Sequence, residues 1–145
     1  MMLQRLALLV VSSFLLAAPA CAGPREDAER VRTELEQAYN AGDWDRAARL
    51  FTPNAQYFGS VKDELVVRQE GVRDYLTTLP RGLKLKMEEH IVAQLEPTVM
   101  VSSGYVVVTT SNGAQNALKV TMVLHNMNGY WLIAQYHASR VQKPR

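Results

Sequence analysis

Among the 145 residues there is one cysteine, Cys21, and it stands inside the first twenty-odd residues. A chain cut after Ala22 keeps no thiol, so neither a disulfide framework nor a cysteine nucleophile is available to it, and its fold must be held by an apolar core. After Leu16 no apolar run approaches the roughly 20 residues that cross a bilayer, so the rest of the chain offers no membrane-spanning helix. There is no Gly-rich phosphate loop and no Gly-x-Ser-x-Gly elbow. His90, His125 and His137 fall on three separate predicted strands without paired close spacing, so a metal site is not expected. Charge of one sign is missing too. Taking Arg5 from the 16 basic residues leaves 15 against 14 acidic, and the clusters Arg81, Lys84, Lys86 and Arg140, Lys143, Arg145 are too short for a phosphate track. Nucleic acid is not an expected partner, and no cofactor is implied.

The N-terminus "MMLQRLALLVVSSFLLAAPACAG" carries one positive charge at Arg5, an apolar run from Leu6 to Leu16, and small residues before Gly23. That is the layout of a secretory signal, and Ala20-Cys21-Ala22 fits cleavage before Gly23. The expected product is periplasmic or secreted. The alternative, cleavage before Cys21 with lipidation of its thiol, is the one route to a membrane, although Ala18 stands where that motif usually has Leu. Residues 23–145 have the size of one domain.

Within that domain Ala28, Val31, Leu35, Ala38 and Tyr39 form a helical stripe, with Glu26, Asp27, Glu29, Arg30, Arg32, Glu34 and Glu36 expected on the other side. Gly42 stops this helix and Asp43 caps a second, in which Trp44, Ala47, Ala48 and Phe51 share a face until Pro53. A third helix carries Val72, Tyr75, Leu76 and Leu79 and ends at Pro80. Between the second and third, Ala55 to Phe58 reads as a short strand and Ser60, Lys62 and Asp63 as a turn. Past Gly82 the period changes to two, with Leu83, Leu85 and Met87 alternating against charge. Tyr105 to Thr110 reads as a strand preceded by a Ser103-Gly104 turn. Leu118 to His125 and Tyr130 to Ser139 form a hairpin closed at Asn126-Met127-Asn128-Gly129. The fold class expected is α+β, N-terminal helices laid on one face of a curved antiparallel sheet, a cone whose open end is a pocket.

Two stretches, "AYNAGDWDRAARLFTPNAQYFGS" and "LKVTMVLHNMNGYWLIAQYHAS", resemble the nuclear transport factor 2-like superfamily. The resemblance is to its SnoaL-like members and to relatives of the calcium/calmodulin-dependent protein kinase II association domain. It runs from about Ala28 to Ser139, with Gly129-Tyr130-Trp131 and His137-Ala138-Ser139 as its specific marks. It implies a cone-shaped (cystatin-like) domain that dimerises through its sheet, and it carries no fixed catalytic set, since this fold hosts isomerases, dehydratases, assembly modules and binders. Its landmarks place the association domain's pocket arginines at positions held here by Met122 and Ala138, which makes a less polar ligand the natural expectation.

With a two-residue Asn128-Gly129 turn and an unbroken ladder, Leu124 faces Ile133, Met122 faces Gln135, Val120 faces His137 and Leu118 faces Ser139 on one side of the sheet. Lys119, Thr121, His125 and Tyr136 then take the other side, and a bulge would exchange the two. On this register Gln135, His137 and Ser139 are the polar end of a pocket whose walls include Met122, Val120, Tyr57 and Trp44. His137 is the candidate acid or base, oriented by Asp63 or Glu64, or it is a strand-end histidine satisfied by backbone. Ketosteroid isomerases of this fold pair a base Asp with hydroxyl donors, and Tyr57, Tyr75, Asp63 and Asp74 offer those residue types. Tyr39, Trp44 and Phe51 could serve as pocket walls, although their helical spacing is that of core residues. Three functions fit: a homodimeric binder of a small apolar molecule, a SnoaL-type isomerase or lyase using His137, and an oligomerisation module.

Overall fold

The structure is a computed structural model that describes residues 23–142; the expected signal, its cleavage point and Cys21 lie outside them. Helix α1 runs Pro24–Ala41, with Pro24 in its first turn, where a missing N–H costs nothing, and Glu26 and Asp27 beside the positive helix end. Gly42, at φ 67°, closes it: its N–H donates to the Tyr39 carbonyl and that of Asp43 to the Ala38 carbonyl, both at 3.0 Å. The buried stripe is the expected one with a single addition. Arg32, assigned to the polar side by its charge, is 1% exposed, because it lies four residues after Ala28 and three before Leu35, on the inward face.

Asp43 caps α2 (Trp44–Ala48), accepting from the Arg46 N–H at 2.9 Å. This helix is shorter than expected. Phe51 already begins β1 (Phe51–Phe58), whose ladder to β6 is interrupted between Phe51 and Gln56, around Pro53. Proline has no N–H to give a ladder, so it sits at the irregularity instead of ending a helix. A two-residue strand β2 (Val66–Val67) leads into α3 (Arg68–Thr77), which buries Val72, Tyr75 and Leu76. The chain then lays down β3 (Lys84–Glu96), β4 (Val99–Thr109), β5 (Gln115–Met127) and β6 (Tyr130–Arg140).

These strands form an open, curved six-stranded sheet in the order β2-β1-β6-β5-β4-β3; β1 and β6 run parallel and the other neighbours antiparallel. Helix α1 lies against β3 and β6 and α3 against β1, so one face is covered. The core fills that layer, with Phe51, Leu76, Met100, Met122, Leu124 and Ile133 almost fully enclosed.

Ser103-Gly104 is not a turn. Both residues lie within β4, and Gly104 pairs with His90 where β3 bulges between Met87 and His90. A Cβ on Gly104 would come within 2.6 Å of the Glu89 carbonyl oxygen and 2.8 Å of the His90 Cβ, so the glycine marks a close backbone approach. The hairpin is as expected at its tip: Asn128 and Gly129 take φ 55° and 89°, the mirror-image turn, and Met127 pairs with Tyr130.

The register then departs from the expected one. Leu124 pairs with Ile133, but Val123 pairs with Gln135, leaving Ala134 as a bulge. One extra residue reverses every later side chain. Met122 therefore pairs with Tyr136, Val120 with Ala138 and Leu118 with Arg140. Tyr136 and Ala138 are buried inside, while Gln135, His137 and Ser139 lie on the outer face with Val123, Thr121 and Lys119.

Candidate functional site

The bulge at Ala134 builds the pocket. It turns Tyr136 and Ala138 inward beside Leu118 of β5. Together with Tyr39 of α1, Tyr57 of β1 and Tyr75 of α3, these residues enclose a cavity of about 260 Å³ at the open end of the cone. Leu79, Leu83, Leu85 and Val108 complete apolar walls, and Asn116, Thr110, Ser60 and Arg140 stand among its polar lining.

Four tyrosines dominate the interior. Tyr57 and Tyr136 stack with ring centroids 4.9 Å apart and planes 7° from parallel, and Tyr57 meets Tyr75 at 5.0 Å. Phe51 backs the stack edge-on at 5.9 Å from Tyr57 and 6.4 Å from Tyr136. Such contacts fix the rings beyond what burial alone supplies. The Tyr75 hydroxyl accepts from the Val61 N–H at 3.4 Å, and those of Tyr39, Tyr57 and Tyr136 find no hydrogen-bond partner among the described residues. They are not sealed off either, so they are free to meet a guest in the cavity. Burial is the main cause that pushes all four phenols above their ordinary value; neighbouring tyrosines add to it at Tyr39, Tyr57 and Tyr136, whereas at Tyr75 the backbone N–H groups of Val61 and Lys62 oppose it. At neutral pH the cavity therefore presents neutral hydroxyls on an apolar wall.

No Asp, Glu or His lines this cavity among the described residues. Of the residues singled out from the sequence, Tyr39, Tyr57 and Tyr75 line it. Val120 and Met122 face inward but belong to the core beneath. Trp44 packs edge-on against Tyr39 at 5.2 Å and borders a neighbouring depression. His137, Ser139 and Asp63 line one open depression with Lys62 and Phe58, away from the tyrosine cavity, and no hydrogen bond joins His137 to Asp63 among the described residues. There the His137 ring is 5.6 Å from that of Phe58. Gln135 is half-buried on the outer face, and Asp74 pairs with Arg73 at the surface. His90 lies on the inner face, whereas His125 and His137 lie on the outer one.

Sequence reasoning missed Tyr136, Ala138 and Arg140 as lining residues. Its available signal was the apolar spacing Ile133, Tyr136, Ala138, three residues and then two, which marks a bulge within a strand. A wider groove of about 770 Å³ between α1 and β3 is open and lined mainly by charge, including Glu26, Glu29, Glu34, Glu88, Arg25 and Arg30. Its opposed surface charges are a solvated face, and it lacks the enclosed apolar walls of a ligand site.

Helices on one face of an open curved sheet, with a tyrosine-lined cavity at the cone's mouth, define a cystatin-like, nuclear transport factor 2-like domain. The chain belongs to the SnoaL-like domain family, which it matches over residues 29–143. No curated protein matches it. Among solved structures, it is similar to a Xanthomonas campestris protein assigned as a calcium/calmodulin dependent protein kinase II association domain. That match has 22% identity and a TM-score of 0.76 over 88% of this chain and 95% of that one. A Nostoc punctiforme protein with a cystatin-like fold matches at 14% identity and a TM-score of 0.71, over 81% of this chain and 90% of that one. An NTF2-like protein of Novosphingobium aromaticivorans matches at 11% and 0.72, over 83% and 84%. At these identities the likeness is one of fold.

Proposed function

We propose that this is an exported, homodimeric domain that binds a small, largely apolar molecule bearing an acceptor oxygen, such as a cyclic ketone or a phenol, in its tyrosine-lined cavity. The observation that carries this reading is the combination of unpartnered tyrosine hydroxyls with apolar walls and no carboxylate or imidazole among the lining residues. Hydroxyls can orient and hold a carbonyl oxygen; beside the phenols the polar lining offers only Ser60, Thr110, Asn116 and the cationic Arg140, none of them a base ready to take a proton from carbon. Binding without turnover follows.

The cavity volume suits a guest of one or two rings. Export is supported by the three-part N-terminus. Dimerisation is supported by the uncovered outer sheet face, where Ile91 is 78% and Tyr105 54% exposed. Native mass spectrometry of the protein from its own host, followed by a ligand-soaked crystal structure, tests the reading. The expected result is a one- or two-ring guest touching Tyr57 or Tyr136; a cavity holding only water after soaking with ketones and phenols would refute it. Ile91→Glu should convert the dimer to monomer in sedimentation, and a wild-type protein already monomeric at micromolar concentration would remove that part.

The isomerase or lyase reading rests on the outer depression, whose lining His137 shares with Asp63 and Lys62. If it holds, His137→Ala abolishes turnover at unchanged stability.

A further inference from the structure

Four side-chain polar atoms are sealed from solvent without a hydrogen-bond partner among the described residues: Arg32 Nε and Nη1, His90 Nε2 and Ser102 Oγ. All three residues face the layer between α1 and the sheet, and none lines the tyrosine cavity. Pairing across the strands places them together. His90, Gly104 and Val120 form one inward row, and Val92, Ser102, Met122 and Tyr136 form the next. His90 and Ser102 are thus diagonal neighbours, at a spacing of roughly 7–8 Å between backbones. Gly104, whose missing side chain lets β3 approach closely, pairs directly with His90 in the same row. Arg32 reaches this place from α1. Its Nη2 donates to the Glu88 carbonyl at 2.9 Å, beside His90, and its charge is felt by both His90 and Tyr136.

Among the described residues no carboxylate forms an ion pair with the guanidinium: Glu29 and Glu36 favour its charge only from farther off, Glu36 accepting from the Met87 N–H at 2.7 Å and Glu29 lying 3.5 Å from His90 Nδ1. An unpaired charge inside a core is among the costliest arrangements a fold can carry, and removing water from unbonded donors adds to it. A water molecule would satisfy the N–H groups and leave the charge. An anion satisfies both, and the enclosure of these atoms restricts it to one of few atoms.

We propose that the interior between α1 and the sheet holds a halide-sized monovalent anion, bound by the free N–H groups of Arg32 and the hydroxyl of Ser102, with His90 at its edge. The site is separate from the tyrosine cavity and stands whether or not that cavity binds a guest.

Crystals soaked in sodium bromide and measured at the bromine absorption edge test this directly, alongside thermal melts in sodium chloride or bromide against sodium gluconate at equal ionic strength. The expected result is an anomalous peak in contact with Arg32 and Ser102, and a saturable halide-dependent rise in Tm. Ser102→Ala should weaken the apparent halide affinity about 10-fold, the scale of one hydrogen bond to a charged group. Arg32→Met should abolish the halide dependence; should that variant fail to fold, the anomalous peak and Ser102→Ala decide the matter. A water at this position with no anomalous signal, equal melting in halide and gluconate, or a halide response surviving in both variants would overturn the proposal.

Discussion

Raising the pH should unfold this protein through its pocket. Burial holds the Tyr39, Tyr57 and Tyr136 phenols protonated above the value at which they ionise in the unfolded chain. Their stabilising contribution is fully present below about pH 10, the unfolded value, and is lost as the pH rises from there toward the folded values. Each such group subtracts up to about 1.4 kcal/mol per pH unit in that window. The slope starts at about half that limit at pH 10, so three acting together remove about 3 kcal/mol between pH 10 and pH 11, a large part of the 5–15 kcal/mol typical of a domain. With roughly 3–6 °C of Tm per kcal/mol at this chain length, the expected fall is roughly 9–18 °C. Circular dichroism melts from pH 8 to 11 measure it, and phenolate absorbance at each pH reports which tyrosines have ionised in the folded state. Lysines titrate in the same range, so Tyr57→Phe and Tyr136→Phe serve as references, and each should reduce the slope by about a third. A slope identical in wild type and both Phe variants, or ionisation of all six tyrosines near pH 10 with the fold intact, would refute the reasoning.

Gly104→Ala should destabilise by about 1–3 kcal/mol in urea titrations, because its Cβ meets backbone of β3; a gain in stability, as Gly→Ala gives where there is room, would contradict the close approach. His137→Ala should change stability by no more than about 0.5 kcal/mol, whereas Ile133→Ala should cost roughly 2–5 kcal/mol. Comparable losses at the two positions would mean that the bulge at Ala134 is wrong and that His137 points inward.

Most of the architecture was legible because it rests on local periodicity. The stripe from Ala28 to Tyr39, the Val72 to Leu76 face and the Asn128-Gly129 turn each declare their element within a few residues. What sequence left hidden depends on distant partners. Gly104 reads as a turn until His90 is seen against it, and Pro53 reads as a helix end until β1 is seen beside β6. Arg32 reads as solvent-facing because charge outweighed position, although its spacing from Ala28 and Leu35 already placed it inward. The site suffered most from one bulged residue: Tyr57 and Tyr75 were recognised as candidates, while Ala134 exchanged Tyr136 and Ala138 for Gln135, His137 and Ser139. A single insertion in a ladder reverses every side chain beyond it, and no period-two pattern reveals it alone.

The central claim is that tyrosine hydroxyls in an apolar cavity hold the oxygen of a small guest. Calorimetric titration of a two-ring cyclic ketone against the hydrocarbon of the same shape tests it most directly, with Ala138→Leu as the variant that fills the cavity. The account predicts that the ketone binds roughly 2- to 12-fold more tightly than the hydrocarbon, the worth of one net hydrogen bond. Tyr57→Phe or Tyr136→Phe should erase the difference, and Ala138→Leu should remove binding of both. Equal affinity for ketone and hydrocarbon, or ketone binding that Ala138→Leu leaves intact, would contradict it.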